Sequence, residues 1–181
     1  MPPLSDFGRR IMICGPSNSG KSTLAVAIGQ KLGLPPIHLD LLRHLPNTDW
    51  VQRPDADFFR MHDEAILGDA WVMDGNYSTL VPQRLKRATG IILLGDNRWV
   101  SLWRYFRRTL LERDRAGNLD GVKDSIKWEM IHWIVVVSPG NLRRYRTELP
   151  ATGLPFVEFL SMNELRRAYA SWALVRGGAS S

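Results

Sequence analysis

Eight consecutive residues, Gly15-Pro16-Ser17-Asn18-Ser19-Gly20-Lys21-Ser22, fit the pattern G-x-x-x-x-G-K-[ST] in full, and Thr23 follows directly. The chemistry implied is the grip of a polyphosphate. Glycines let the backbone wrap tightly, so that several N–H groups point into one concavity. A lysine supplies a cation for the β- and γ-phosphates, and the following serine hydroxyl is a ligand for Mg²⁺. The pattern is informative only between a strand and a helix. Here an apolar run, Arg10 to Cys14, precedes it and a helical stretch, Lys21 to Leu32, follows. The positive end of that helix's dipole would add to the anion site.

Two carboxylates stand where the same site could use them. Asp74 closes the apolar run Ala70-Trp71-Val72-Met73 and precedes Gly75-Asn76-Tyr77. At a strand end beside the loop it would hold Mg²⁺ through its waters or orient an acceptor hydroxyl; the competing role is a turn aspartate. Asp40 ends Ile37-His38-Leu39 and reads either as the acceptor's general base or as a cap for the segment after it. His38 reads as a packed strand histidine.

A third group is cationic. Over 98–112, Trp99, Leu102, Trp103, Phe106 and Leu110 recur at helical spacing, and Arg104, Arg107 and Arg108 project from another side. Arginines around a moving phosphoryl group stabilise its spread charge, although clustered charge also suits a solvated face. Arg143, Arg144 and Arg146 read as a solvent-facing helix or as a contact for phosphate or nucleic acid. No Cys/His set has zinc spacing, and the seven tryptophans read as packing.

These groups need a scaffold that brings them to one edge. Short apolar runs alternate with helical stretches, the pattern of a parallel α/β sheet covered on both faces. Strands are expected at 10–14, 36–39, 70–73, 90–94 and 155–160, with helices at 21–32, 55–68, 98–112, 122–137 and 163–175. In such sheets the ligand lies beyond the carboxyl ends of the strands, where the loop, Asp40, Asp74 and Asp96 all fall. A length of 181 residues fits one domain over 1–175, with a small polar tail at 176–181 expected to be disordered.

The formal charge of +6 suits polyanionic ligands from a nucleoside triphosphate to nucleic acid without choosing between them. No DNA-binding motif is evident, so nucleic acid is the less favoured partner. The absence of a long apolar run or basic-then-apolar N-terminus argues against membrane insertion and secretion. One cysteine, Cys14, in an apolar run, fits a buried thiol in a reducing cytoplasm.

Taken together, the phosphate loop, His38-Leu39-Asp40, Trp50, Asp74-Gly75-Asn76-Tyr77, the arginine-rich 98–108 stretch and the Trp128-Glu129/Trp133 region resemble the adenylate-kinase-like P-loop small-molecule kinases. The nearest likeness is to a bacterial group labelled adenylate kinase-related or DNA topology modulation proteins. That resemblance implies a P-loop NTPase fold with a five-stranded parallel sheet in the order 2-3-1-4-5 and a short lid near 112–124. It implies ATP as donor with Mg²⁺, and a small acceptor such as a nucleotide or nucleoside. Asp74 would take the place of the DG-motif aspartate, Arg104 and Arg108 would approach the lid arginines, and 161–163 would approach the adenine. The segment Asn76-Tyr77-Ser78 departs from the arginine-containing FPR segment of true adenylate kinases. A nucleotide-dependent regulator or nucleic-acid-associated ATPase is the alternative reading, and a binding module without catalysis a third.

Overall fold

The computed structural model describes residues 1–48, 50–95 and 138–175. Within them, β1 (Arg10–Cys14), β2 (Pro36–His38), β3 (Trp71–Asp74), β4 (Gly90–Leu94) and β5 (Phe156–Phe159) form one sheet in the order β2-β3-β1-β4-β5. Every pairing is parallel, so all strand carboxyl ends share one edge. The expected order and fold class are therefore observed.

Period-two alternation decides which strand residue faces which layer. Ile11, Ile13, Val72, Ile92 and Leu94 point to one face, covered by α1 (Lys21–Leu32) and α6 (Met162–Ser171). Met12, Cys14, Trp71, Met73, Ile91 and Leu93 point to the other, where Ile66 of α3 (Asp55–Ile66) and Leu142 and Tyr145 of α5 (Ser138–Glu148) pack. Helix α6 shows why: Leu165, Ala168, Tyr169 and Trp172 recur at i, i+3, i+4 and i+7 and form its buried stripe. Trp172 stacks edge-on against Phe7 and Phe159, in keeping with the packing role expected of the tryptophans.

Several boundaries differ from expectation, and local physics explains them. The second strand stops at His38, one residue short of the expected 36–39. Its one partner, β3, ends at Asp74 opposite His38, so no ladder remains beyond that pair. The chain turns instead into the short helix α2 (Leu39–Arg43), with Leu39 fully buried and Asp40 exposed in the first turn. Helix α6 starts one residue before expectation because the Ser161 side chain caps it, accepting from the Glu164 N–H at 3.3 Å. A further short helix, α4 (Val81–Leu85), follows a turn at Ser78–Leu80 that sequence patterning did not reveal. The expected helices at 98–112 and 122–137, the lid at 112–124, Asp96, Trp128, Trp133 and the tail lie outside the described residues. Among the described residues, no helix is long and apolar enough to cross a membrane.

Candidate functional site

Residues 15–20 leave the central strand and enter α1 with a backbone that few sequences could adopt. Gly15 has φ +145°, and a Cβ there would lie 2.4 Å from the Leu94 carbonyl oxygen. Asn18 and Gly20 also have positive φ, 63° and 92°. The Pro16 carbonyl gathers Lys21 Nζ at 2.6 Å and the Ser19 hydroxyl at 2.8 Å, which folds the loop back over the helix start. Gly20 is the helix N-cap and provides no side-chain cap, so the first-turn N–H groups are left for another acceptor. The Asn18 amide is buried with both polar atoms unpartnered. A glycine-shaped concavity, open helix N–H groups, a lysine and an orphaned amide are the donor set that a polyphosphate requires. The fit to that ligand is good. Thr23 is exposed just behind, and Ser17 is half-buried at the rim.

Asp74 reaches this loop because β3 alternates. Val72 faces α1, so Asp74, two residues later, faces α1 as well. Its carboxylate is 4% exposed and accepts from Ser22 Oγ at 2.7 Å. On its other side lies His38 Nδ1 at 2.5 Å, brought there by the His38–Asp74 register. His38 is a largely buried residue of β2, as its reading as a packed strand side chain expects, and it also meets the Asp74 carboxylate. No spacing in the sequence could show this, because the pairing of β2 with β3 creates the contact. A hydroxyl and a carboxylate oxygen are hard donors of the kind Mg²⁺ prefers, and it takes few protein ligands when phosphate supplies the rest. Among the described residues, no cluster of three or more His, Cys, Asp or Glu could hold a metal without such help.

The segment after Asp74 joins three parts of the site. Asn76 bonds to the Gly15 backbone, and Tyr77, at φ 32°, donates its hydroxyl to Asp40 Oδ1 at 2.7 Å. Burial and the Asp40 charge push the Tyr77 phenol well above its ordinary pKa, so it remains a donor. Its ring packs edge-on against Phe58 of α3, 4.9 Å between centroids. Beneath the segment, Arg84 of α4 is fully buried and donates to the carbonyls of Gly75 at 2.7 Å and Asn76. Burial lowers the Arg84 pKa from its usual value. The sequence assigns no role to Asn76, Tyr77 or Arg84; the string Asp74-Gly75-Asn76-Tyr77 is the available signal.

Elsewhere the expectations divide. Cys14 is buried, and burial raises its thiol pKa, as an inert core cysteine requires. Arg143, Arg144 and Arg146 are exposed on α5; Arg146 pairs with Glu158 at 2.6 Å and Arg144 with Glu148 at 3.5 Å. This is a solvated, internally paired face. Arg104 and Arg108 lie outside the described residues.

The sheet order and the strand–loop–helix connection are those of a P-loop NTPase fold. Comparison with solved structures agrees. A gluconokinase from Sinorhizobium meliloti 1021 superposes with TM-score 0.57 at 19% identity, covering 92% of this chain and 93% of its own. A sugar kinase from Janibacter sp. HTCC2649 gives 0.53 at 14% identity over 96% and 99%. A shikimate kinase from Acinetobacter baumannii, in complex with shikimate, gives 0.50 at 15% over 93% and 96%. At these identities the likeness establishes the fold. No protein-family model and no curated protein matches the sequence.

Proposed function

We propose that this protein is an ATP-dependent small-molecule kinase that moves the γ-phosphoryl group to a hydroxyl of its acceptor. The observation that carries this is the span from Asp74 to Tyr77, which sets one carboxylate against the phosphate-loop serine and a second, exposed one within reach of Tyr77. In this reading the second carboxylate serves the acceptor hydroxyl. The names of the three structural neighbours, all kinases of small molecules, support the same reading.

In this reading, residues 15–23 hold the triphosphate, with Lys21 leaving the Pro16 carbonyl to meet the β- and γ-phosphates. Ser22 and Asp74 hold Mg²⁺, which when bound neutralises phosphate charge. Asp40 takes the proton of the acceptor hydroxyl as its oxygen bonds to the γ-phosphorus and the β–γ bridging bond breaks. Tyr77 occupies Asp40 Oδ1 and so leaves Oδ2 for that proton. Arg104 and Arg108 are assigned to the charge on the transferring group. The chain functions as one domain over 1–175, in the cytoplasm, with the lid near 112–124 excluding water. The HLD and DGNY segments favour the adenylate kinase-related group within the fold.

The test is Mg²⁺-dependent ADP formation against nucleosides, nucleoside monophosphates, polyols and hydroxy acids, with Lys21→Ala as control. An acceptor that raises turnover well above hydrolysis, and only with Lys21 present, establishes the kinase. Nucleotide binding without stimulation by any acceptor would remove it.

A further inference from the structure

The backbone ladder between β1 and β3 ends one step before the phosphate loop begins. Ile13 is the last residue of β1 in register with β3, opposite Asp74, and the Gly75 N–H donates to its carbonyl at 3.3 Å. Beyond that point the main chains diverge, since Gly15 turns at φ +145° and Gly75 at φ +127°. The Asn76 side chain fills the gap. Its Oδ1 accepts from the Gly15 N–H at 3.1 Å, and its Nδ2 donates to the Gly15 carbonyl at 2.8 Å. A carboxamide carries the same donor and acceptor as a peptide group, so it can stand in for one more rung of the ladder.

We propose that Asn76 is a positioning residue for the phosphate loop: its side-chain amide replaces a backbone strand partner and fixes the peptide at which the loop leaves the sheet. This rests on the nucleotide-binding reading of residues 15–23. The clasped residue adjoins Pro16, whose carbonyl holds Lys21 Nζ and the Ser19 hydroxyl. The position of one peptide therefore sets both the loop's curvature and the starting place of its lysine. Asn76 is fixed in turn from below, where Arg84 donates to its carbonyl. Its neighbour Tyr77 holds Asp40, so a single peptide joins the loop's anchor to the proposed acceptor side.

Two near-isosteric substitutions separate this role from space-filling. Asn76→Leu keeps the branching at Cγ, adds no charge and loses both bonds. Asn76→Asp keeps the acceptor for the Gly15 N–H but sets a carboxylate oxygen against the Gly15 carbonyl. Binding of a fluorescent ATP analogue with Mg²⁺ is measured for each, with circular dichroism and cooperative thermal unfolding as the check on folding. Amide exchange at Gly15 is measured in the wild-type protein and both variants. The expected result is about 25-fold weaker binding in Asn76→Leu, which loses two bonds, and at least about fivefold in Asn76→Asp, which loses one, each bond being worth roughly a factor of five. Gly15 amide protection should be lost in Asn76→Leu and retained in Asn76→Asp. Binding by folded Asn76→Leu within twofold of wild type would overturn the proposal while leaving the nucleotide site standing. An unprotected Gly15 amide in the wild-type protein would also overturn it, whatever becomes of the variants. No binding by the wild-type protein would remove the nucleotide reading and this inference together.

Discussion

Replacing Asp74 with asparagine tests the site at the point where its parts converge. The carboxylate is buried, accepts from Ser22 Oγ at 2.7 Å and faces His38 Nδ1 at 2.5 Å. Asparagine has the same shape. With its oxygen kept on Ser22, its NH₂ turns to His38, whose Nδ1 can accept in the other tautomer. Every polar atom then keeps a partner, and the fold should survive. What changes is the charge. Hydrogen bonds to an ionised acceptor contribute about 1.5–3 kcal/mol and neutral ones about 0.5–1.5, so two bonds lose about 2 kcal/mol. Relief from burying a carboxylate offsets part of this, leaving an expected loss of about 1–2 kcal/mol in urea denaturation. The functional effect is larger and has a sign. Loss of a metal-organising carboxylate should raise the Mg²⁺ concentration needed for tight ATP binding by about 10–100-fold. Without Mg²⁺, removing a negative charge beside the phosphates should leave ATP binding unchanged or tighter. ATP titrations of Asp74→Asn with and without Mg²⁺ read both. A folded variant whose Mg²⁺ dependence stays within twofold of wild type would refute the assignment of Asp74 to the metal.

Other substitutions probe separate parts. Gly15→Ala combines positive φ with a Cβ 2.4 Å from the Leu94 carbonyl, and should cost about 2–3 kcal/mol or more in urea denaturation and abolish nucleotide binding. Tyr77→Phe removes the hydroxyl on Asp40, a bond worth about 1 kcal/mol. With an acceptor in hand, its KM should rise about fivefold while the Kd for ATP stays the same. His62 is buried on α3 with Nε2 unpartnered, and burial lowers its pKa below the ordinary 6.5. The unfolded chain then binds more protons than the folded one as pH falls below about 6.5, so stability is full above that value and lost beneath it. Urea denaturation between pH 7.5 and 5 should show His62→Met losing less stability than wild type over that window.

The loop at 15–22 was legible without a structure because its shape is local. Eight contiguous residues carry the backbone freedom, the lysine and the hydroxyl, and β1 and α1 on either side are declared by runs of apolar residues and by Gly33 at the helix end. Strand β4 was legible for the same reason: five buried residues in a row need no partner to be recognised. The placement of Asp74 was half legible. Its position at a strand end follows from the sequence, whereas its direction towards Ser22 follows from which face of β3 meets α1.

The rest depended on elements distant in the chain being laid side by side. His38 joins Asp74 across 36 residues through the β2–β3 register, and Asn76 reaches Gly15 across 61. Arg84 gave no sign of supporting the 74–77 segment, because a buried guanidinium bonded to main-chain carbonyls has no partner side chain to betray it. Asp40 stands in a helix and not at the strand end expected for it, because the ladder ran out of partners at His38. Local sequence thus determined the shape of the 15–22 loop, whose atoms are neighbours along the chain. The groups around it were decided by strand pairing and helix packing, which act through space and leave no fixed spacing in the sequence.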